Sequence, residues 1–235
     1  MVKLTNAQVL AAAAPDRLVN VISAPGSGKT TIAAERYGYQ RYQAGDLRGV
    51  LGLTFNRAAA AELRRRIEVR WGANCIRPAH RVVTFDHLHV ELLTHLLNER
   101  KVTWPNGATT LDVRDDYRGV KGFRFLQVGS YVRFASLSNA RSVVSKSRKV
   151  TKPEAGIGSV ADHRAVLDAG TVSHDDVRSI LRAAMKVDEL RQVATEWLSA
   201  NYRAAIIDEV YDADALDLYV AYLAAEAGLS ATLIG

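Results

Sequence analysis

Short apolar runs alternate along this chain with longer stretches whose apolar residues recur at helical spacing. Leu18-Val19-Asn20-Val21-Ile22 is the first run, Gly49–Phe55 the second, Arg81–Phe85 the third, Ala204–Ile207 the fourth and Ala231–Ile234 the last. Runs of this length, bounded by turn residues, predict buried strands. The stretch from the first run to about Gln43, and then Ala58–Arg70, His87–Glu99, Val187–Ala200 and Ala215–Ala227, predict helices rich in Ala, Leu and Arg. Ser173 is a candidate N-cap for another, with Asp175 and Asp176 in its first turn. Strands alternating with helices predict an α/β fold, a mainly parallel sheet with helices on both faces.

From about Arg100 the pattern breaks. Trp104-Pro105-Asn106-Gly107 is turn chemistry, and Gly119, Gly122, Gly129, Pro153, Gly156 and Gly158 punctuate the next stretch. A loop of that length is rare in a compact core, so 100–170 reads as an inserted subdomain within a domain formed by 1–99 and 171–235. Charge marks the same division. From Lys121 to Lys152 there are eight basic residues and no acid; after Arg203 there is no Lys or Arg, but Asp208, Glu209, Asp212, Asp214, Asp217 and Glu226 are present. The basic run suits a polyanion, or else is a solvated surface loop. The single cysteine, Cys75, excludes an internal disulfide and fits a reducing compartment, hence a cytoplasmic location. No run of 18 apolar residues occurs, so no membrane span is expected.

The first strand runs into Ser23-Ala24-Pro25-Gly26-Ser27-Gly28-Lys29-Thr30 and then a helix, which is the phosphate-binding P-loop arrangement. Gly26 and Gly28 let the backbone turn sharply and bring N–H groups close to an anion. The helix adds the positive end of its dipole. Lys29 carries a mobile charge to the β/γ-phosphates, and the Thr30 hydroxyl can ligate Mg²⁺. The usual pattern begins with Gly where this chain has Ser23. A P-loop needs an acidic partner, and Asp208-Glu209 leaves the strand at 204–207 in the right form. Asp208 can hold the Mg²⁺ shell and Glu209 can orient and deprotonate the attacking water; the alternative reading of the pair is a solvated turn. Both motifs are expected at the tips of neighbouring parallel strands. The Thr54-Phe55 and Thr84-Phe85 pairs follow the second and third strands at matching places, where an open sheet puts its ligand. Each pair taken alone is an ordinary strand end.

These residues resemble the first RecA-like domain of the UvrD/Rep-type superfamily 1 DNA helicases, over Leu4–Leu97 and roughly Gly170–Gly235. Leu4-Thr5-Asn6-Ala7-Gln8 is similar to the family's Q motif, which implies that Gln8 reads adenine by a bidentate amide contact. The resemblance implies ATP and Mg²⁺ as cofactors, with Ala24 to Thr31 around the phosphates. Leu53–Leu63 looks like motif Ia, with Asn56 in place of a Thr, and Val83–Leu88 looks like motif Ib. Single-stranded DNA contacts are then implied for Thr54, Phe55, Asn56, Arg57, Thr84, Phe85 and His87. Asp208-Glu209-Val210-Tyr211-Asp212 is similar to motif II, with Tyr211 where the family has a Gln that couples γ-phosphate to DNA. The insertion corresponds to the family's 1B subdomain, which implies that its basic run faces DNA. Leu233-Ile234-Gly235 matches the start of motif III. The expectation is an N-terminal helicase fragment acting on single strands and single–double-strand junctions and lacking the second RecA-like domain, so that it binds nucleotide weakly, hydrolyses it very slowly and does not unwind. DNA repair is one of the pathways such a protein serves. A non-hydrolysing, nucleotide-gated DNA-binding module and a small P-loop kinase are the competing classes; the Asp-Glu pair and Gln8 argue against the kinase.

Overall fold

A computed structural model of the chain describes residues 4–24, 26–43, 45–113, 123–128, 131–136 and 168–235. It divides into two compact units, Met1–Glu91 with Arg182–Gly235, and Leu92–Leu181.

The first unit is built on five parallel strands in the order β1-β9-β8-β2-β3. β1 is Leu18–Val21, β2 Gly49–Thr54, β3 Arg81–Thr84, β8 Tyr202–Asp208 and β9 Ser230–Ile234. Every residue of β2 and β8 is buried. Successive strand side chains point to opposite faces, so a strand buried throughout is covered on both. Val50, Ala204 and Ile206 share one core with Ile32, Ala33 and Tyr37 of α2 (Lys29–Gln43) and Leu63 and Ile67 of α3 (Arg57–Trp71). The alternate residues Leu51, Leu53, Ala205 and Ile207 are buried as well. α6 (Asp188–Asn201) packs on β8 and α7 (Ala215–Glu226) on β9. The expected α/β architecture is present: a parallel sheet flanked by helices, consistent with a RecA-like P-loop fold.

The sequence pattern did not disclose α1 (Asn6–Ala13). Thr5 caps it in a reciprocal box with Gln8, the Thr5 hydroxyl accepting from the Gln8 amide N–H and Gln8 Oε1 accepting from the Thr5 N–H. This satisfies two of the orphan donors at the helix start.

Two buried arginines tie loops to the sheet. Arg36 of α2 donates to the carbonyls of Ala12, Ala14 and Asp16 and to the Thr232 hydroxyl of β9, fixing the link between α1 and β1. Arg203 of β8 donates to the carbonyls of Gln40, Arg41, Asp46 and Arg48 and so closes the turn between α2 and β2. His80, just before β3, accepts the Val50 N–H on Nδ1 at 3.0 Å. Burial lowers its pKa to about 4, with the Arg41 and Arg203 charges acting in the same direction. The neutral imidazole that this bond requires is therefore retained at pH 7.

In the second unit α4 (Phe85–Asn98), whose first residues belong to the first unit, continues from Leu92. β4 (Asp112–Val113) pairs in parallel with β7 (Thr171–Val172), and β5 (Phe123–Val128) pairs antiparallel with β6 (Tyr131–Ser136). α5 (His174–Ala184) starts as expected at Ser173, whose hydroxyl accepts the Asp176 N–H. Most of the basic run Lys121–Lys152 lies outside the described residues. Among the described residues no helix is long and apolar enough to cross a membrane.

Candidate functional site

Register places the functional motifs at one edge of the sheet. Val21 lies beside Ile234, Ile234 beside Asp208, Ile207 beside Leu53, and Thr54 beside Thr84. All five strands therefore end level, and the loop after each opens on the same edge. One expectation needs correcting: the P-loop strand β1 and the acidic strand β8 are not neighbours, because β9 lies between them. Two interstrand steps, about 10 Å, separate their tips, a gap that a triphosphate with its metal can bridge.

In the P-loop, Gly26 has φ 77° and Gly28 φ 88°, left-handed values that a side chain disfavours. Ser23 has no such value, so the backbone does not require glycine there. Instead the Ser23 N–H donates to the Gly235 carbonyl at 3.0 Å and Gly235 donates back to Val21, extending the β1–β9 ladder into the loop. The Ser27 N–H closes a turn on Ala24, and the Thr31 and Ile32 N–H groups converge on the Gly28 carbonyl to start α2. The earliest N–H groups of a helix have no intrahelical acceptor, and Lys29 and Thr30 are the first two residues of α2. Pro25 lies outside the described residues.

Gln8 braces this loop. Its Nε2 donates to the Ser27 carbonyl at 2.9 Å while Oε1 holds the α1 cap. One amide hydrogen and one lone pair remain for a base, so the bidentate adenine contact expected from the sequence has to share an amide that already clamps the P-loop.

Asp208 is 2% exposed at the tip of β8. Burial raises its pKa above the ordinary carboxylate range and the Glu209 charge adds to this, while a hydrogen bond from the Thr30 hydroxyl and the Arg66 charge oppose it. Its Oδ1 is buried without a hydrogen-bond partner. An orphaned carboxylate oxygen next to a threonine hydroxyl is a hard-oxygen donor set suited to Mg²⁺, which takes few protein ligands and completes its shell with phosphate and water. Among the described residues no cluster of His, Cys, Asp and Glu is large enough to hold a metal without such a partner.

Glu209 breaks the strand in a left-handed conformation, φ 62° and ψ 42°, and is exposed. A non-glycine residue is held in such a conformation only when its surroundings enforce it. Here the Asp212 N–H donates to the Glu209 carbonyl and a short 3-10 turn, Val210–Asp212, follows. Tyr211 is 72% exposed, and its ring edge lies against Gly235, where an added Cβ would stand 2.7 Å from Cε2. The sequence reading missed Arg66. It donates to the Thr31 hydroxyl at 2.6 Å and to Glu62 at 2.6 Å, so it carries a second cation to the P-loop's flank.

The proposed DNA-contact residues divide. Thr54 is fully buried, its hydroxyl donating to the Asn56 carbonyl at 3.3 Å. Phe85 is 2% exposed. Direct contact by these two side chains is therefore corrected to support. Phe85 stacks beneath Phe55 at 5.0 Å and rests in turn on the buried His89 at 6.0 Å, whose Nε2 lies 3.5 Å from Asp217 Oδ1. Phe55 is half-buried, with Asn56, Arg57 and His87 exposed beside it. Asn56 caps α3, accepting the Ala59 N–H at 2.8 Å, which gives a local reason for Asn in place of Thr. Thr84 accepts the His87 N–H. The His87 ring nitrogen meets Arg81 at 2.9 Å and Glu91 at 3.2 Å.

No curated protein matches this chain. The family model described as UvrD/REP helicase N-terminal domain matches residues 4–235. The match covers the P-loop, the acidic strand tip and both Thr-Phe tips, and the chain is a member of the UvrD/REP helicase N-terminal domain family.

Proposed function

We propose that this chain is the ATP-binding domain of a DNA helicase or translocase that couples ATP hydrolysis to movement on single-stranded DNA. The observation that carries the reading is the level row of strand tips, with Lys29 and Thr30 beyond β1 on one side, Asp208 at the tip of the central strand β8, and Phe55, Asn56, Arg57 and His87 beyond β2 and β3 on the other side. Lys29 and the N–H groups around it would hold the β/γ-phosphates, and Thr30 with Asp208 would hold Mg²⁺. Bound there, Mg²⁺ neutralises charge on the transferred phosphoryl group. Glu209, exposed at the same edge, would orient the attacking water and take its proton. The free face of Phe55, backed by Phe85, would stack a base, while Asn56, Arg57, Thr84 and His87 would meet phosphates and sugars. A second RecA-like domain is the proposed partner that closes over the nucleotide. Arginines supplied from such a partner accelerate P-loop hydrolysis roughly 10³–10⁵-fold.

Tyr211 favours a second reading. A phenol stands where the family's coupling amide does, so nucleotide could gate DNA binding without efficient turnover. Both readings share one requirement, a DNA face centred on Phe55. Fluorescence anisotropy with a labelled oligothymidylate, with and without a non-hydrolysable ATP analogue, tests it. Phe55→Ala is expected to weaken DNA binding roughly tenfold, the loss of one base stack, and to leave nucleotide affinity unchanged. Unaltered DNA affinity in that variant, or no binding by the wild-type chain at low salt, contradicts the proposal.

A further inference from the structure

β3 is an outer strand of the described sheet, and a groove of about 830 Å³ runs beside it. One wall is α3, through Arg57 and Arg64; the floor is Arg81–Thr84; the far end is the loop before β3, through Arg77. Four arginines and His87 line it, and among the described residues no Asp or Glu does. Unlike the contiguous basic run Lys121–Lys152, these arginines are scattered in sequence and brought together by the fold.

The groove is built on fixed backbone. The His80 N–H closes a turn on the Arg77 carbonyl at 2.7 Å, Ala79 sits at φ 77°, and His80 is anchored to Val50. Arg77 is thus an exposed cation on a pinned turn. Arg64 spends one N–H on the Val82 carbonyl at 2.8 Å, and its guanidinium keeps further donors. Arg81 is partly offset by Glu91 at 2.6 Å. The groove's upper end is formed by Arg57, Thr84 and His87, which also belong to the proposed DNA face. From Thr84 to Arg81 the floor extends roughly 10 Å at strand spacing, and Arg77 lies beyond it. Cations strung along a channel match the repeating charge of a nucleic-acid backbone better than one compact anion.

We propose that this groove carries the sugar–phosphate backbone of the single strand away from the strand-tip face along the open side of β3, with Arg64, Arg77 and Arg81 meeting successive phosphates. This rests on the DNA-binding reading of that face and extends its footprint to residues outside the recognised motifs.

The test is the salt dependence of oligothymidylate binding for the wild-type chain, Arg77→Gln, Arg77→Gln/Arg81→Gln and Phe55→Ala. Each single-strand phosphate that a variant no longer neutralises lowers the slope of log K against log salt by roughly 0.7. Arg77→Gln is expected to lower it by about that amount and the double variant by about twice as much, whereas Phe55→Ala weakens binding with the slope retained. The Arg77 side chain is exposed, so Arg77→Gln carries the test even if the double variant is destabilised; thermal unfolding checks that it is folded. Weakening by Phe55→Ala with wild-type slopes in both arginine variants would overturn the groove and leave the DNA face standing. No binding by the wild-type chain would overturn both.

Discussion

Lys29→Ala is expected to weaken Mg-ATP binding by about 10- to 100-fold, measured by titration calorimetry, with the fold intact. A hydrogen bond to a charged group contributes about 1.5–3 kcal/mol, and each 1.4 kcal/mol is a factor of about ten in affinity. Lys29 opens α2 directly behind Gly28, whose carbonyl accepts the Thr31 and Ile32 N–H groups, and its ammonium is the only side-chain cation between Ser23 and Thr30. The P-loop's shape does not rely on it: the turn is held by the Gly28 carbonyl, the Gln8 clamp and the Ser23–Gly235 bond. Lys29→Arg is not a conservative control, because a planar fork replaces a compact point charge. An affinity within about twofold of wild type for Lys29→Ala would show that phosphate is not held here.

Gly49→Ala is expected to destabilise the chain by about 3 kcal/mol, at the upper end of overpacking effects. Gly49 opens β2, and a Cβ there would lie 1.5 Å from the Ala79 carbonyl oxygen and 2.5 Å from its carbon. Those are backbone atoms of the turn that Arg77 and His80 close, so relief requires moving the β2–β3 edge itself. The pairing of β2 with β8 also shifts register between Gly49 and Val50. Gly45→Ala is the control. Nothing lies within 4 Å of its would-be Cβ and its φ is not positive, so it should leave stability unchanged or slightly raised through the unfolded chain. Denaturant unfolding of the two variants separates a steric requirement from a general effect of losing glycine; equal midpoints would contradict the clash.

The five strands were legible as short apolar runs, most plainly β2 and β8, whose residues are all buried. α1 was not. Val9 and Leu10 are exposed and Ala12 is its single buried residue, so no apolar stripe announces it; the signal that was available is the Thr5–Gln8 capping spacing. Lys29, Thr30 and Asp208 were legible as candidates because phosphate and Mg²⁺ chemistry demands fixed residue types at fixed local spacing. The interposed β9 was not, since strand order depends on pairings that no local pattern encodes. Phe55 and Phe85 stand identically in sequence, each after a Thr at a strand tip. Only packing separates them: Phe85 opens α4 and is covered by Phe55 and His89, which leaves Phe55 the outer ring. Arg66 was hidden in the run Arg64-Arg65-Arg66, where helical period decides which guanidinium reaches Thr31.

The central claim is that the loop around Lys29 and the Asp208 carboxylate clasp one magnesium-bound triphosphate together. Its most direct test is the affinity of a fluorescent ATP analogue, with Mg²⁺ and with a chelator, in the wild-type chain and in Asp208→Asn. Asparagine keeps an oxygen for the Thr30 hydroxyl and removes the charge. The expected result is tighter binding with Mg²⁺ in the wild-type chain, and in Asp208→Asn loss of that gain with chelator-state affinity unchanged. An equal Mg²⁺ gain in both proteins would contradict the account.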